Sequence, residues 1–554
     1  MRGLCLLSTF VASLGHQDIG LGGATDCPLH ADAGCTEEEN LGEYRSVSML
    51  QLQLSIVSNT SDSVASVHVL AHHQLSMHSP SVMYGAGAMI LCVVLCAVGL
   101  YIWGGLLAQG FTSKQDPWSI IPTFVVLSGA QVLDSVDYRL LSSSMRALEQ
   151  DLGLSPTDLS YFTIAQGIAM TLGSPVWGTL SDRWDRGKLL AVGCLWWSIT
   201  TAMLGLASSL RTLILVRFLN GIALASITPI AQTLIADLAN PEIRGTCFGI
   251  FFAIGTVGSM VAEIVLPGMA TSTIFGIAGW RVACYAVATI SVLYVAVVLV
   301  VMRDPRVGSH QLANEQPSIS QTFWIVIRCK TWLSIGLQGI FASLPYSVFS
   351  FLILWLQYLG FPGVQAGFIV SLRSAGELIG TLVAGFSGDC AARLSRNHGR
   401  IFLAQVAHIV RVPMLLIIFL VLPRIGAGIE YYGCAMVVLG FLMPFPATGC
   451  VNPILTEIVR PEFRGSIIAY QTMLEKSIGA FGALGAANLA QSAFHYEPST
   501  QAVTAMPDEF RDRNASALGK AIMFNSVAPW TLCAIIYGLA HFTYKNDRDN
   551  SKAG

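Results

Sequence analysis

The sequence PEIRG at residues 241–245 returns almost unchanged as PEFRG at residues 461–465. About one helical turn upstream of each copy lies an acidic residue, Asp237 in the first case and Glu457 in the second. Only 12% of the 554 residues are charged, whereas 53% are hydrophobic, so a charged pentapeptide that occurs twice stands out from its surroundings. The repeat predicts a chain built from two related parts.

The low content of charged residues indicates the class of protein. Soluble domains contain about 25% charged residues, and this chain has roughly half that fraction. Apolar stretches such as residues 283–302 are long enough to cross a bilayer, which takes about 20 residues. The composition therefore predicts an all-α polytopic membrane protein. The formal net charge of −2 argues against a general attraction to nucleic acid.

Apolar segments separated by charged or Gly/Pro-containing stretches predict twelve membrane spans. In chain order they cover residues 119–146, 158–181, 188–209, 212–237, 246–267, 280–302, 333–358, 364–388, 401–423, 432–456, 466–492 and 519–542. We number them one to twelve.

The same segmentation predicts the organisation of the whole chain. Six spans would form an N-terminal half (119–302) and six a C-terminal half (333–543), joined by a cytoplasmic linker (303–332). The predicted remainder is a disordered or lumenal extension (1–81), a candidate extra transmembrane helix (82–104) and a cytoplasmic tail (544–554).

Lys and Arg residues predict the orientation, because they concentrate in alternate loops, including those after spans two and eight. By the positive-inside rule these loops face the cytoplasm, together with both PExRG copies. If residues 82–104 cross the membrane, the N-terminal extension lies on the opposite side, with the loop between spans eleven and twelve. Each of these two regions carries a glycosylation sequon, at Asn59 and Asn514, and we predict both as acceptors.

A second pair of motifs agrees with the first. The sequence GTLSD (178–182) ends span two, GFSGD (385–389) ends span eight, and basic residues follow each. Two markers that occur in the same order at corresponding spans indicate parallel repeats, related by an axis along the membrane normal.

These motifs resemble those of a known family. The stretch GTLSDRWDRGKLL (178–190) is similar to the loop between spans two and three of the major facilitator superfamily, except for Asp185, where the family pattern has Gly. With residues 217–245 and 137–155, it looks most like the spinster-like branch. The resemblance covers about residues 119–545 and implies a twelve-span fold of two parallel six-helix repeats that transports a solute by alternating access.

Two departures from the branch concern ion coupling. The Asp-Arg pair of its first span is Asp137-Tyr138 here, with Arg139 one position late. The acidic residue that the branch carries in span four falls on Leu224. If that acid couples protons in relatives, coupling here must use another residue or be absent.

The resemblance also implies a cytoplasmic gate of charged pairs between the two halves. The implied pairs are Asp182 with Arg464, Arg186 with Asp237, Asp389 with Arg244, and Arg393 with Glu457, and the same motifs contribute Gly178, Arg183 and Gly385. We expect these pairs to hold the cytoplasmic side shut and to break when the halves rock apart. The alternative is that the motifs only start helices and set topology.

Ionisable residues inside spans are functional candidates, because each costs about 2.5–3.5 kcal/mol on insertion scales. The candidates for substrate binding or ion coupling are Asp134, Asp137, Arg139, Arg217, Glu263, Arg373, Glu377, Arg411 and Glu475.

Spacing suggests how some of these candidates are arranged. Asp134 and Asp137 share a helix face, which we expect to line the cavity; the alternative is a buried salt bridge of Asp137 with Arg139 or Arg217 that only fixes packing. Arg217 could instead bind an anionic headgroup. Arg373 is spaced to pair with Glu377.

We therefore expect a secondary active transporter of a small amphiphilic or anionic solute, with a lysolipid or sphingoid lipid suggested by the branch. A sugar or organic-anion facilitator and a transport-dead membrane sensor are the alternatives. The chain has no Walker-type loop, HExxH or GxSxG motif, so we expect no enzyme activity, cofactor or metal site, and any pumping must use a proton or other ion gradient. The expected partners are the solute and membrane lipids, with no nucleic acid, for a monomer in the plasma membrane or an endolysosomal or vacuolar membrane.

Overall fold

The computed structural model describes residues 117–238, 244–274, 276–302, 304, 319–424, 426–460 and 464–553. Within these ranges the side chains of 117–121, 182–183, 236–237, 244–246, 319–323, 464–466 and 552–553 are not described. The predictions for the N-terminal extension with Asn59, for the candidate helix at 82–104 and for most of the linker lie outside the described residues.

The first half consists of six rods, where a rod is one helix, or two successive helices, that corresponds to one predicted span. Its helices are α1 (Pro117–Ser143), α2 (Met145–Leu152), α3 (Pro156–Arg183), α4 (Arg186–Leu206), α5 (Leu210–Leu224), α6 (Ile227–Leu238), α7 (Arg244–Ala270) and α8 (Gly279–Val301). A two-residue hairpin, β1 (Thr273–Ile274) and β2 (Ile277–Ala278), joins α7 to α8.

The second half repeats this arrangement with more interruptions. Its helices are α9 (Ile319–Arg328) in the linker, α10 (Lys330–Val348), α11 (Leu352–Tyr358), α12 (Gly363–Leu394), α13 (Gly399–Leu416), α14 (Ile429–Leu442), α15 (Asn452–Glu457), α16 (Arg464–Gly479), α17 (Gly482–Ser492) and α18 (Asp508–Ala553). Short 3₁₀ turns (Phe349–Phe351, Val503–Ala505) and π-helical segments (Ile417–Val421, Ala447–Val451) complete it.

Local sequence explains where the short helix α2 ends and α3 begins. Gly153 adopts φ 64° and terminates α2, a backbone conformation that costs glycine no steric strain. Ser155 and Asp158 then form a reciprocal capping box, and Pro156 occupies the first turn, where it needs no hydrogen-bond donor. This loop places α2 at the end of the bundle opposite the basic loops, which we call the outer side.

Each predicted span overlaps one rod of the structure, and the last two residues of each PExRG copy, which start at Arg244 and Arg464, are the first described residues of equivalent rods. Nine rods in the described part of the chain are long and apolar enough to cross a membrane. Spans one, two and eleven are not among these nine, and they contain acidic or basic residues such as Asp134 and Lys476. These are also spans that line the central cavity described below, where Lys476 is one of the lining residues.

Proline residues account for several of the interruptions. Span four breaks between α5 and α6 shortly before Pro229, and span ten breaks at 443–444, which includes Pro444 and lies just before Pro446. These two spans hold equivalent positions in the two repeats. The breaks therefore follow the internal symmetry.

The halves approach closely where small residues face each other. A Cβ atom at Gly367 of span eight would overlap the carbonyl oxygen of Glu263 in span five, and one at Gly363 would lie 2.7 Å from the Pro267 oxygen. A Cβ at Gly167 of span two would lie 2.8 Å from the Cβ of Ala480 after α16. The contacts of Gly363 and Gly367 are with backbone atoms and lie in the outer part of span eight, where they bring the two halves together.

The replacement Gly367→Ala should weaken the contact between the halves, because the new methyl group has to displace the span-five backbone. We expect a loss of about 1–3 kcal/mol, the usual cost of overpacking, visible as a lower Tm in detergent. Gly249→Ala is the matched control, since no atom lies within 4 Å of the Cβ built there. Equal Tm values for the two variants would contradict the proposed close approach.

Candidate substrate cavity and gates

A cavity of about 330 Å³ lies between the two halves. Tyr138, Gln166 and Met170 line it from the first half. Tyr346 and Lys476 are among the residues that line it from the second half. A solute in this cavity would therefore touch both halves at once, which is the requirement for a site that alternates between the two sides of a membrane.

A second cavity of about 200 Å³ lies within the C-terminal half. It shares Ser343, Tyr346 and Glu475 with the first cavity, so the two spaces are neighbours. Its lining includes Arg411 and several amide and hydroxyl side chains. Those neutral polar groups lie on different spans of the second half, and no sequence motif indicates that they meet.

Asp137 lies in a buried network inside the first half and does not line the cavity as we expected. Its carboxylate is 3.2 Å from Arg217 and accepts a hydrogen bond from Thr201. Arg217 also donates to Asn220 and Gln166, both at 2.9 Å. The alternative of a packing salt bridge fits this geometry, with Arg217 as the partner.

The other two charged residues of span one have different surroundings. Asp134 is partly exposed, makes no hydrogen bond or ion pair with another described residue, and lies within electrostatic range of Lys476 in span eleven. Arg139 pairs with Glu263 of span five at 3.3 Å. Residues that are close in sequence thus contact different helices.

Glu263 of span five links the two halves. Besides Arg139, its carboxylate lies 3.7 Å from Arg373 and accepts a 3.0 Å hydrogen bond from Ser374, both in span eight. Arg373 forms the expected intrahelical pair with Glu377 at 3.0 Å. Two guanidinium groups and two carboxylates therefore neutralise each other across spans one, five and eight.

Arg411 and Glu475 have no such partner among the described residues. Arg411 is 1% exposed and donates to the backbone oxygens of Leu442 and Met443. Glu475 accepts a 2.7 Å hydrogen bond from Gln471. Both residues line the cavity of the second half.

The cytoplasmic gate is described only in part. Side chains outside the described set are those of Asp182, Arg183, Asp237, Arg244 and Arg464, so their pairing stays a prediction.

Three of the described gate residues contact residues other than their predicted partners. Asp389 pairs with Arg400 at 2.8 Å. Glu457 accepts a hydrogen bond from Tyr544, and Arg393 is exposed. The backbone nitrogen of Arg186 donates to Asp304 at 3.0 Å. In this conformation Glu457 is therefore not bridged to Arg393.

The two motif glycines occupy equivalent places. A Cβ at Gly178 would lie 3.9 Å from Pro229 of span four, and one at Gly385 would lie 4.0 Å from Thr448 of span ten. The same contact thus recurs in both repeats. Both are ordinary packing distances.

A charged cluster on the outer side joins the two halves, and the sequence analysis missed it. Arg146 of α2 donates to the Tyr358 hydroxyl at 2.8 Å and to the Ser499 oxygen at 3.0 Å, both in the second half. Glu149 pairs with Arg146 at 2.6 Å and accepts a hydrogen bond from the hydroxyl of Tyr496 at 2.7 Å. We call these residues the outer latch.

The latch is fully removed from water. Arg146 is 2% exposed and Glu149 is 0% exposed. Burial raises the pKa of Glu149 above its usual value, whereas Arg146 and the hydroxyls of Tyr496 and Tyr358 oppose this rise. An Arg and a Glu one helical turn apart are a common surface pattern. Only the partners, which lie hundreds of residues away, distinguish this pair.

Asn514 was predicted as a glycosylation site, and its surroundings argue against this. Its side chain is 0% exposed within α18, donates to the Glu497 carbonyl at 2.7 Å and accepts from the Glu497 amide at 3.1 Å. Both amide atoms are occupied in the fold. A glycan on this nitrogen would have to break that pairing.

Comparison with known proteins agrees with this architecture. The family model described as Major Facilitator Superfamily matches residues 127–483. The chain belongs to this superfamily. It is a multi-pass membrane transporter of the secondary type, and its family is one of transporters and not of enzymes.

Individual relatives cover different parts of the chain. A probable 4-methylmuconolactone transporter of Cupriavidus pinatubonensis is 25% identical over 66% of this chain and 82% of its own length. Protein spinster homolog 1 of Mus musculus is 32% identical over 36% of this chain and 38% of its own length. Several other curated relatives are also matched over less than half of their length.

A solved structure shows the same fold. It is a bacterial homologue of the human lysosomal transporter Spinster in an inward-facing, unoccupied conformation, with a TM-score of 0.66 at 20% identity over 78% of this chain and 99% of that chain. With the mouse relative, it confirms the similarity to the spinster-like branch.

The replacement Arg146→Gln should open the outer side. It removes charged hydrogen bonds worth about 1.5–3 kcal/mol each and leaves Glu149 buried without its cation. The measurement is the labelling rate of a cysteine placed at Thr163, a residue of the central cavity, by an impermeant maleimide added from the outer side. We expect at least about tenfold faster labelling, because each 1.4 kcal/mol changes the ratio of open to closed states tenfold.

Arg281→Gln is the matched control for this measurement, in the same background with the reactive native cysteines removed. Arg281 also lies on the outer side, but its partners Asp151, Gly205 and Ala207 all belong to the first half. If both variants label at the wild-type rate, the latch does not hold the halves together.

The replacement Asp137→Asn should destabilise the first half, because it leaves the Arg217 charge buried. Breaking a buried pair costs about 3–5 kcal/mol, so a lower Tm in detergent is expected. The double replacement Asp137→Asn, Arg217→Gln should recover part of this loss. A wild-type Tm for the single variant would show that the pair does not stabilise the fold.

Proposed function

We propose that this secondary transporter moves a small amphiphilic or anionic solute through the cavity between its halves. The lining of this cavity combines apolar residues such as Met170 and Ala480 with the charged residues Glu475 and Lys476. A solute with an apolar body and a charged head matches this distribution. That combination in one inter-half space is the observation that carries the proposal.

The relatives support this class of solute. One is named as a transporter of 4-methylmuconolactone, a small organic anion, and others belong to the spinster group. A lysolipid or a sphingoid lipid is the amphiphile that the spinster-like similarity suggests. The proposal extends to such lipids as the first compounds to test.

The polar cavity of the second half favours a smaller organic anion as a second candidate. Its volume of about 200 Å³ lies below the usual range for pockets that enclose a drug-sized molecule. A carboxylate of few atoms fits within it, whereas a lipid would have to leave its chain in the neighbouring cavity.

We further propose that transport is coupled to a proton through Asp134. Leu224, which replaces the acid of span four, is 1% exposed and packs in the apolar core of the first half. Asp134 is a partly exposed carboxyl of the same half, and within electrostatic range of it lie Asp137 and Arg217 of its own half and Lys476 of the opposite half, whose ammonium group attracts the carboxylate. Protonation would remove this attraction and so change the free-energy difference between closed and open arrangements of the halves.

The test is uptake into proteoliposomes with and without a pH gradient. Labelled oleoyl lysophosphatidate, benzoate and xylose represent the anionic amphiphile, the organic anion and the sugar. We expect the first, the second or both to enter faster than into protein-free vesicles. If none exceeds the protein-free rate, the proposed solute class is wrong.

Asp134→Asn tests the coupling residue. We expect exchange of the transported compound at equal pH to continue and accumulation driven by the pH gradient to be lost, because the amide cannot bind the proton. Asp151→Asn is the matched control, since Asp151 lies on the outer side and pairs with Arg281. Unchanged gradient-driven accumulation in Asp134→Asn would exclude this residue as the coupling site.

A further inference from the structure

Several residues that line the cavity of the second half have a buried polar atom without a hydrogen-bond partner. Its lining includes Gln338, His408, Arg411, Gln471 and Tyr537. Each of these five residues has one buried nitrogen or oxygen without a hydrogen bond to the protein, namely Gln338 Oε1, His408 Nε2, Arg411 Nε, Gln471 Oε1 and Tyr537 OH. Since more than about 90% of buried polar groups in proteins are paired, such a cluster around one cavity requires an explanation.

Arg411 adds a positive charge to this cavity. No carboxylate oxygen among the described residues lies within 4.0 Å of it, which separates it from Arg139, Arg217 and Arg373, each of which has an acidic partner. An uncompensated charge at this depth is costly, and such residues usually serve a solute or ion path.

The guanidinium of Arg411 is held in a fixed position. It donates to two successive backbone oxygens of span ten, at 2.6 and 2.7 Å, and its carbon lies 4.8 Å from the ring centre of Trp530. These contacts orient the group but do not neutralise its charge. A preorganised cation of this kind binds an anion without losing side-chain entropy.

Glu475 limits the kind of anion that can bind. Its carboxylate lines the same cavity and also the inter-half cavity, so it lies where the two spaces meet. It would repel a second negative charge and accept a hydrogen bond from a hydroxyl or ammonium group on the solute.

We propose that this cavity is the head-group subsite of the transporter, where Arg411 binds a carboxylate or phosphate monoester of the solute. The orphaned amide, hydroxyl and imidazole atoms supply further hydrogen bonds to the head. The apolar part of the solute extends past Ser343 and Tyr346, which line both cavities, into the space between the halves. This inference rests on the proposed function in that it assigns one end of the transported solute.

Direct binding to the purified full-length chain in neutral-lipid nanodiscs tests the subsite independently of transport. The probes share one chain and differ in the head: octyl phosphate, octanoate, octyltrimethylammonium and octyl glucoside. Inorganic phosphate and acetate test whether the head alone suffices. We expect the two anionic amphiphiles to bind at least about tenfold more tightly than the other two, because only their heads form charge-assisted hydrogen bonds with Arg411.

Variants of the cavity locate the binding site. Arg411→Gln should lower the affinity for octyl phosphate at least about tenfold, a loss that about 1.4 kcal/mol produces. Glu475→Gln should raise this affinity because it removes a repulsive charge. Arg424→Gln, an exposed arginine on the outer side of the same half, should leave it unchanged. The Glu475 replacement also keeps the proposal testable if Arg411→Gln does not fold.

The proposal is wrong if the four heads bind with equal affinity, if Arg411→Gln binds octyl phosphate as tightly as the wild type, or if Glu475→Gln does not increase the affinity. Equal affinities would mean that only water satisfies the orphaned atoms. Anion binding that depends on Arg411 in a chain that transports none of the compounds would support the subsite and contradict the proposed function. The two proposals therefore fail separately.

Discussion

A charge placed in a membrane has to be neutralised by a neighbour, and this requirement determines which helices of the bundle meet. Arg217 and Asp137 connect spans one and four within the first half. Glu263 connects span five to span one through Arg139 and to span eight through Arg373. The first pair holds one half together internally, whereas Glu263 connects one half to the other. Relative motion of the halves therefore changes the surroundings of Glu263 and leaves the Asp137 network intact.

The outer side is closed by two contacts of different character. The glycine contact between spans five and eight is a close approach of backbones, which other small residues could in part replace. The latch is directional, because Arg146 and Glu149 each need several partners from the second half at once. Partial opening would leave both charges buried with partners missing. The latch thus favours a fully closed or a fully open outer side over intermediate positions.

Sequence patterns predicted the features that depend on local periodicity. The apolar segments located the spans, the repeated pentapeptide marked equivalent positions in the two halves, and the i, i+4 spacing anticipated the pair of Arg373 with Glu377. Helix phase could not show whether Asp137 faces the cavity or a neighbouring helix, because both surfaces lie inside the bundle. Contacts such as that of Glu149 with Tyr496 depend on tertiary packing between remote segments, and no local pattern records them.

Arg217 of the first half and Arg411 of the second half are both buried, but their charges have different surroundings. In the first half, Arg217 is surrounded by acid and amide side chains of its own half, and its charge is neutralised there. In the second half, Arg411 is fixed by neutral backbone oxygens and by Trp530, and it faces an open cavity. A self-neutralised network favours a rigid half, and an oriented but unpaired cation favours a half that binds an anion. In the proposed subsite, the internal symmetry of the fold would support an asymmetric site, in which the first half provides a stable wall and the second half recognises the solute.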